Sequence, residues 1–492
     1  MKQAVKLLSV MVLLLIAAGL SAQNTLTVSG LNETEFIYRT AADSLNAYFR
    51  DSFGFNLGYR NLSFGMKFIA ELPKYSVNQD ELIDELAAPQ LSLGWKELYL
   101  RYNRDNLLLQ AGTLSETFGS GMLFRAWEDI EFDEDNRLQA FMIGYDRKIK
   151  AKAFYGAVPS ESLADTWDLA YGADFLYPVF NGLNLGASAL ALRSARLDGA
   201  YDQRDVFGAR MQYGSDLIDA SAEYAITELY KREAFLDPLD GSGLFASVSV
   251  NLYPVQVGLA GKRYENFSYR LQDLPLANYH NEPLEDTNSG ISEAGLQGWA
   301  SWTINDEFST SLDYAEAWNL DQTIFMNDLH GSLDYSGDNL SLGAEYSHIE
   351  KSNDDNSTWQ KELTPAVYAS FPAWGRTLSL KAEHKYIEKQ KMGTSDGIYQ
   401  AQNTSHWEPH LQADISFGKL SLSASASSHW TEMGELMNSR YWTNLEAKYA
   451  AFSHTDFTLF VGKEAGGKVC RNGICRYVAP FEGLKLEITT RF

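Results

Sequence analysis

The histidines are the side chains of this sequence best suited to acid–base chemistry or metal binding, and two of them lie close together. His406 and His410 flank the tripeptide Trp407-Glu408-Pro409. Residues an even number apart on a β-strand point to the same face, so the two imidazoles would share one side. Zinc centres use at least three protein ligands, and this spacing offers two histidines without a third. We therefore predict no metal site at this pair.

The sequence offers few other residues in a pattern typical of an enzyme active site. The sequence contains no His-Glu-x-x-His zinc motif and no phosphate-binding glycine loop. A serine–histidine pair could form between neighbouring strands, but the alternation of residues puts the candidate bases His348, His384 and His429 at outward or rim positions. We predict that the protein is not an enzyme and holds no cofactor, with a hydrolase at the rim as the exception.

Acidic residues outnumber basic ones, 64 against 41 in 492 residues, which excludes a nucleic-acid partner because such a partner needs a basic surface. Three stretches concentrate the excess: Asp80, Glu81, Asp84 and Glu85; Glu128, Asp129, Glu131, Asp133, Glu134 and Asp135; Glu282, Glu285 and Asp286. Carboxylates suit Ca²⁺ or Mg²⁺, and Asp133 and Asp135 are the nearest to a ligand pair, but EF-hand spacing is missing. The alternative, a solvated acidic surface on outer loops, is preferred, so no metal is predicted.

The two cysteines, Cys470 and Cys475, flank Arg471-Asn472-Gly473-Ile474. Asn-Gly is a strong hairpin signal, so the cysteines would face each other across a tight loop. In an oxidising compartment this predicts a disulfide. The chain-entropy gain for so short a loop is about 2 kcal/mol. Free thiols or a metal site are the alternatives.

The histidines, acidic residues and cysteines must be positioned by β-strands, which the sequence indicates by an alternation of apolar and polar residues. It is clearest over 62–68, 340–347 and 420–427. Short turns and longer loops also alternate along the chain, with long loops expected at 41–52, 74–94, 116–136, 264–293 and 387–403 among others. This parity is typical of an outer-membrane barrel and is not expected of a soluble sandwich. The predicted fold is all-β: a single large antiparallel up-and-down transmembrane β-barrel over 23–492, with about 24 strands (22–26).

The two ends of the chain indicate the compartment. Lys2 and Lys6 precede an apolar run over 7–20, which predicts a cleaved signal peptide over 1–22. The final strand would turn Leu484 and Leu486 outward and end at Phe492. A C-terminal strand ending in Phe resembles the assembly signal read by the barrel-insertion machinery of Gram-negative outer membranes. Localisation in that membrane follows, with its lipid and lipopolysaccharide as surroundings.

The inward face of the predicted strands is charged, with equal numbers of acids and bases. Its expected lumen-lining residues are Lys67, Glu71, Glu97, Arg101, Arg210, Asp219, Glu223, Glu345, Lys381, Glu383, Lys385, Glu446, Lys448, Lys485, Glu487 and Arg491. Charges facing lipid would each cost about 2–4 kcal/mol, so this face must enclose a polar or wet interior. The balance of signs predicts no charged selectivity ring.

One loop, from Phe118 to Arg137, is too apolar to lie in water outside a barrel. Its candidate constriction residues are Phe118, Gly119, Gly121, Phe124, Arg125, Trp127 and Glu128. We expect the loop to fold inward against the wall, with Arg125 paired to an inward carboxylate, and to narrow the lumen. The alternatives are a loop packed only on its neighbours, or an interaction surface.

Two stretches carry a family resemblance. Residues 111–128 with Asn136-Arg137-Leu138, and residues 469–477 with the Phe492 end, are similar to segments of uncharacterised porin-like barrels from Bacteroidota outer membranes. The stretches cover less than a tenth of the chain. The resemblance implies an outer-membrane location and no established activity.

Three functions are compatible with such a barrel. We prefer a pore or porin-like channel for small solutes. A plugged barrel that serves as a scaffold or accessory subunit for secretion or surface assembly is the first alternative, and it would have an unidentified surface or periplasmic protein partner. An outer-membrane enzyme is the second.

Overall fold

A computed structural model of the chain describes residues 26–40, 46–73, 92–129, 134–160, 163, 166–197, 199–230, 241–285, 291–354, 358–395, 398–431, 440–471, 474–478 and 480–492. The predicted signal peptide, the acidic stretch at 80–85 and Asp133 lie outside these residues. No helix in the described ranges is both long enough and apolar enough to cross a membrane.

Thirty β-strands make up the ordered framework of the described residues. They are β1 (Thr27–Arg39), β2 (Ala47–Tyr59), β3 (Leu62–Leu72), β4 (Ser92–Arg104), β5 (Leu107–Leu114), β6 (Glu116–Phe118), β7 (Phe124–Ala126), β8 (Glu128–Asp129), β9 (Glu134–Asp135), β10 (Leu138–Asp146), β11 (Lys150–Pro159), β12 (Trp167–Phe180), β13 (Leu183–Ala195), β14 (Tyr201–Gly214), β15 (Ile218–Tyr230), β16 (Gly241–Leu252), β17 (Val255–Glu265), β18 (Ser292–Thr303), β19 (Phe308–Asn319), β20 (Ile324–Ser336), β21 (Ser341–Asn353), β22 (Thr358–Ala373), β23 (Arg376–Ser395), β24 (Ile398–Phe417), β25 (Leu420–His429), β26 (Arg440–Phe452), β27 (Thr455–Glu464), β28 (Gly467–Arg471), β29 (Ile474–Val478) and β30 (Phe481–Arg491).

Twenty-four of these strands form one closed antiparallel sheet. Neighbours in the chain pair with each other, β5 pairs with β10 across an intervening segment, and β27 pairs with β30. The sheet closes because β1 pairs with both β2 and β30. The remaining strands form three small hairpins, β6–β7, β8–β9 and β28–β29. The predicted barrel and its strand number are confirmed.

The last residue lies at the seam where the barrel closes. The backbone N–H of Phe492 donates to the carbonyl of Gly30 at 3.1 Å, and the N–H of Gly30 donates back at 2.8 Å. The Phe492 ring stacks on Phe53 with ring centroids 5.9 Å apart. Phe492 therefore extends the β1–β30 pairing by one residue pair; its role as an assembly signal stays a prediction.

The outer face of the sheet is apolar. Large side chains such as Tyr155, Leu259 and Leu411 are 59–64% exposed in the isolated chain. In water such a band would be unstable, whereas in lipid it is what a spanning barrel requires. The protein is a transmembrane β-barrel of the outer membrane.

Two expected loops are partly strand. The expected loop at 387–403 is largely taken up by β23 and β24, which pair as far as Ser395 and Ile398. The expected loop at 41–52 gives way to β2 at Ala47. Both stretches are rich in polar residues. A polar sequence is easily taken for a loop where an antiparallel strand pair continues beyond the bilayer.

One glycine allows β4 and β5 to approach closely. Gly112 has a φ of 106°, and a Cβ at this position would lie 2.1 Å from the carbonyl oxygen of Leu98. Only glycine fits both the positive φ and the contact.

We predict that Gly112→Ala destabilises the barrel, by about 1–3 kcal/mol from backbone strain alone. The temperature at which the folded band converts to the unfolded band on SDS gels should fall. Gly54→Ala is the matched control, because a Cβ there meets no atom closer than 3.7 Å. If both variants unfold at the same temperature, a strict requirement for glycine at position 112 is contradicted.

Candidate functional site

The strand registers place all sixteen predicted lumen residues on one face of the sheet. Residues that pair directly across two strands point to the same face. Applied to each pair of strands in turn, from Lys485 on β30 around the barrel to Ile37 on β1, this rule gives one consistent inner face, and Ile37 pairs with Lys485 again. The opposite face carries Leu484 and Leu486, as expected. The charged face is therefore the inner one.

Many of the inward charges have a partner of opposite sign. Examples are Lys381–Glu383 and Lys385–Glu362, at 2.8 and 2.7 Å between nitrogen and oxygen. Others are Arg50–Glu71 at 3.6 Å, Lys485–Glu464 at 3.4 Å, Arg491–Asp456 at 2.9 Å and Arg210–Asp174 at 2.6 Å. At these pairs the inner wall is polar but neutral.

Residues 115–129, the first inner segment, pack on the inside of the wall. Phe118, Met122, Leu123 and Phe124 are completely buried. The ring of Phe124 stacks on Phe154 of β11 with centroids 4.6 Å apart. Phe154 lies near the middle of β11, so the apolar side chains reach well below the outer rim.

Polar contacts fix this segment to two strands of the wall. The backbone N–H and the hydroxyl of Ser120 both donate to Glu223 on β15, at 2.9 and 2.8 Å. Gly119 lies against the same carboxylate, which a Cβ would approach to 2.5 Å. Lys152 of β11 donates to Glu116 at 2.8 Å.

The second inner segment, residues 266–285, packs against the first. Arg125 forms an ion pair with Asp273, and its backbone N–H donates to Leu271 at 2.8 Å. The Tyr269 hydroxyl donates to the carbonyl of Leu123 at 2.7 Å. Burial raises the pKa of Tyr269 well above its ordinary value, so the phenol stays a neutral donor.

The expected partner of Arg125 was wrong. An inward carboxylate of the wall was predicted, but Asp273 belongs to the second inner segment. The guanidinium also lies 3.8 Å from the ring centre of Trp127, which orients it. The wall carboxylate held by the first inner segment is Glu223 instead.

Arg137 forms ion pairs with three carboxylates at the outer end of the first inner segment. Its guanidinium lies 3.1 Å from Glu97, 3.1 Å from Glu128 and 2.7 Å from Asp135. Burial raises the pKa of Asp135, but the hydrogen bonds and charge of Arg137 outweigh it and hold the pKa of that carboxyl below its usual range. Glu97, Glu128 and Asp135 therefore bind an arginine; the absence of a metal from this acidic stretch stays a prediction.

The second inner segment continues across β20 and β21. His280 Nδ1 lies 2.7 Å from the buried carboxylate of Asp328, and Tyr279 stacks on His330 with centroids 3.7 Å apart. Glu282 pairs with the fully buried Lys351 at 2.7 Å. The expectation that 264–293 is an outer acidic loop was therefore wrong.

A usable signal for this segment was present in the sequence. Phe267, Leu271, Leu274 and Leu276 make it as apolar as the stretch that begins at Phe118. Because the segment is acidic, it was predicted to be an outer loop, whereas Glu282 in fact neutralises the buried Lys351.

The inner face of β22–β25 presents small hydroxyl groups, and neither inner segment contacts most of it. Ser370 and Ser379 lie 2.7 Å apart, and Ser416 and Ser421 lie 2.9 Å apart. Charged side chains beside them include Lys381, Asp414 and Lys448, and Lys381 is 39% exposed. Within the described residues, this is the open, polar side of the lumen.

A histidine cluster lies further out on the same side. His406 Nε2 is 3.1 Å from Glu408 on β24, and its ring stacks on His429 of β25 with centroids 4.3 Å apart. One ligand atom from each of the three lies within 4.8 Å of the others. His410, expected to accompany His406, is not part of this cluster.

The other predicted chemistry is placed as follows. His348 and His384 face outward and His429 ends β25 at the rim, as expected, although its side chain lies on the inner face. No Gly-x-Ser-x-Gly motif was expected, which was wrong because residues 393–397 fit the pattern; Ser395 ends β23, however, and its antiparallel partner β24 begins at Ile398, where a nucleophile elbow would have a helix. Cys470 pairs directly with Cys475 in the β28–β29 register; their disulfide stays a prediction.

The family model for a family of unknown function, DUF6029, matches residues 1–288. The chain belongs to the DUF6029 family. The match runs from the N-terminus through β17 and includes both inner segments. A search of curated proteins finds no match.

Several solved structures are similar to this DUF6029 chain. The E. coli P pilus tip assembly intermediate PapC-PapD-PapK-PapG is similar with a TM-score of 0.56 and 9% identity, over 95% of this chain and 60% of that one. The P pilus usher (PapC) translocation pore has a TM-score of 0.49 and 10% identity, over 95% and 99%. Pseudomonas aeruginosa OccK3 (OpdO) has 0.42 and 15%, over 70% and 94%. Identities this low concern the fold alone.

We predict that Arg125→Glu loosens the two inner segments, because it places a carboxylate beside Asp273. Hydrogen exchange of residues 266–285 in detergent micelles, followed by mass spectrometry, should become at least tenfold faster. The double variant Arg125→Glu/Asp273→Arg restores the opposite charges and should restore slow exchange. If the single variant exchanges as slowly as the wild type, the ion pair does not hold the segments together.

Proposed function

We propose that the protein is an outer-membrane channel for small polar solutes, with a passage displaced to one side of the lumen. One observation carries the proposal: the inner segments contact the wall from β3 to β22, and no described segment covers most of the inner face from β22 to β25. The narrowing predicted for Phe118–Glu128 is then achieved by two segments acting together.

The chemistry of the open side supports a passage for water-soluble molecules. Serine hydroxyls both donate and accept hydrogen bonds, so they can replace the hydration of a polar solute. Charges of both signs lie beside them: Lys381 pairs with Glu383, and Asp414 accepts a hydrogen bond from Gln412. Neighbouring charges of opposite sign favour neutral or zwitterionic solutes over strongly charged ones.

We predict that replacing residues 117–125 with a short Gly-Ser linker at least doubles single-channel conductance in planar bilayers, because it removes side chains that fill the lumen. Heat-modifiable migration on SDS gels checks that the variant folds. A wild-type protein that inserts but shows no conductance would overturn the channel and favour the plugged scaffold.

We also predict that Lys381→Glu shifts the reversal potential in a KCl gradient towards cation selectivity. Arg263→Glu is the matched control: the net charge changes equally, but Arg263 lies on the outward face, on which its neighbour Ala294 also lies. Equal shifts for both variants, or none for Lys381→Glu, would contradict a passage along β23.

A further inference from the structure

The structure assigns a ligand to the histidine cluster of the lumen wall: we propose that His406, Glu408 and His429 bind a divalent transition-metal ion of the zinc, nickel or copper type. This proposal is about metal binding only, and it does not depend on whether the lumen conducts solutes.

The pairing of β24 with β25 brings the three side chains together. His410 pairs with Ser427, and Trp407 forms a bridge with Trp430. This register sets Glu408 directly opposite His429 on the inner face, and His406 follows two residues away on the same face. Rigid strands therefore hold all three ligands, without any loop.

The distances fit a shared ion. Zinc binds nitrogen and carboxylate oxygen at about 2.0–2.2 Å, so two ligands of one tetrahedral zinc ion lie about 3.3–3.6 Å apart. His406 Nε2 and Glu408 are separated by 3.1 Å, and every pair of ligand atoms in the cluster lies within 4.8 Å. A side-chain rotation suffices to bring His429 onto the same ion.

The ligand types select the metal class. Imidazole prefers zinc, copper, nickel and iron, whereas calcium and magnesium prefer oxygen ligands alone. Lys385 is the cation paired opposite Glu408, but its ammonium lies 2.7 Å from Glu362, which neutralises it.

The site is open to the lumen. The side chains of His406 and Glu408 are 23% and 41% exposed. Three protein ligands leave at least one coordination position for water or for a group on a passing molecule. An ion here would exchange with the solution.

Calorimetric titration of ZnCl₂ into the full-length, untagged, oxidised protein in detergent tests the site. We expect one zinc ion per chain, and at least tenfold weaker binding for His406→Gln and for His429→Gln. His454→Gln is the matched control, because His454 is an exposed histidine in the turn between β26 and β27, and its binding should equal that of the wild type.

Four outcomes would overturn the proposal. The first is absence of zinc binding by the wild-type protein. The second is binding unchanged in both folded histidine variants. The third is binding lost in Cys470→Ser/Cys475→Ser, which would move the metal to the cysteines. Competition by excess CaCl₂ would likewise indicate acidic loops as the binding site.

Discussion

The structure depends on one constraint: inside a bilayer every backbone amide and carbonyl must find its hydrogen bond within the protein. Pairing of β1 with β30 meets this constraint by leaving no open sheet edge. Closure also fixes side-chain direction, because a one-residue slip at any pair would turn an entire strand inside out. The apolar outer band and the charged inner face are two consequences of the same closure.

A barrel of this width cannot fill its interior with side chains of the wall alone. The inner segments supply a core for one side, where Phe118 and Phe124 meet the wall at Phe154. Polar groups caught beneath them are paired, as Lys351 is with Glu282, because a buried charge without a partner is strongly destabilising. In the part of the chain that the structure describes, the inner face of β22–β25 has no such core and keeps its hydroxyl groups available.

The sequence predicted what local periodicity controls. Alternation identified the strands, their number and the face on which Lys67 or Glu487 lies, because a period of two is set by the backbone itself. It could not supply pairings between distant segments, so the partner of Arg125 and the position of His429 beside Glu408 were missed. The second inner segment was misplaced because charge was taken as a sign of solvent, whereas Glu282 is needed against a buried lysine.

The length of the β23–β24 hairpin has a consequence for the cell surface. Each strand has 20 residues. At about 3.3 Å per residue this is about 66 Å, and a tilt of about 40° leaves about 50 Å along the membrane normal. The apolar band of such barrels is only about 25 Å tall. The hairpin therefore projects well beyond the apolar band beside the mouth of the barrel, so a large molecule that approaches from this side meets the hairpin before it reaches the opening.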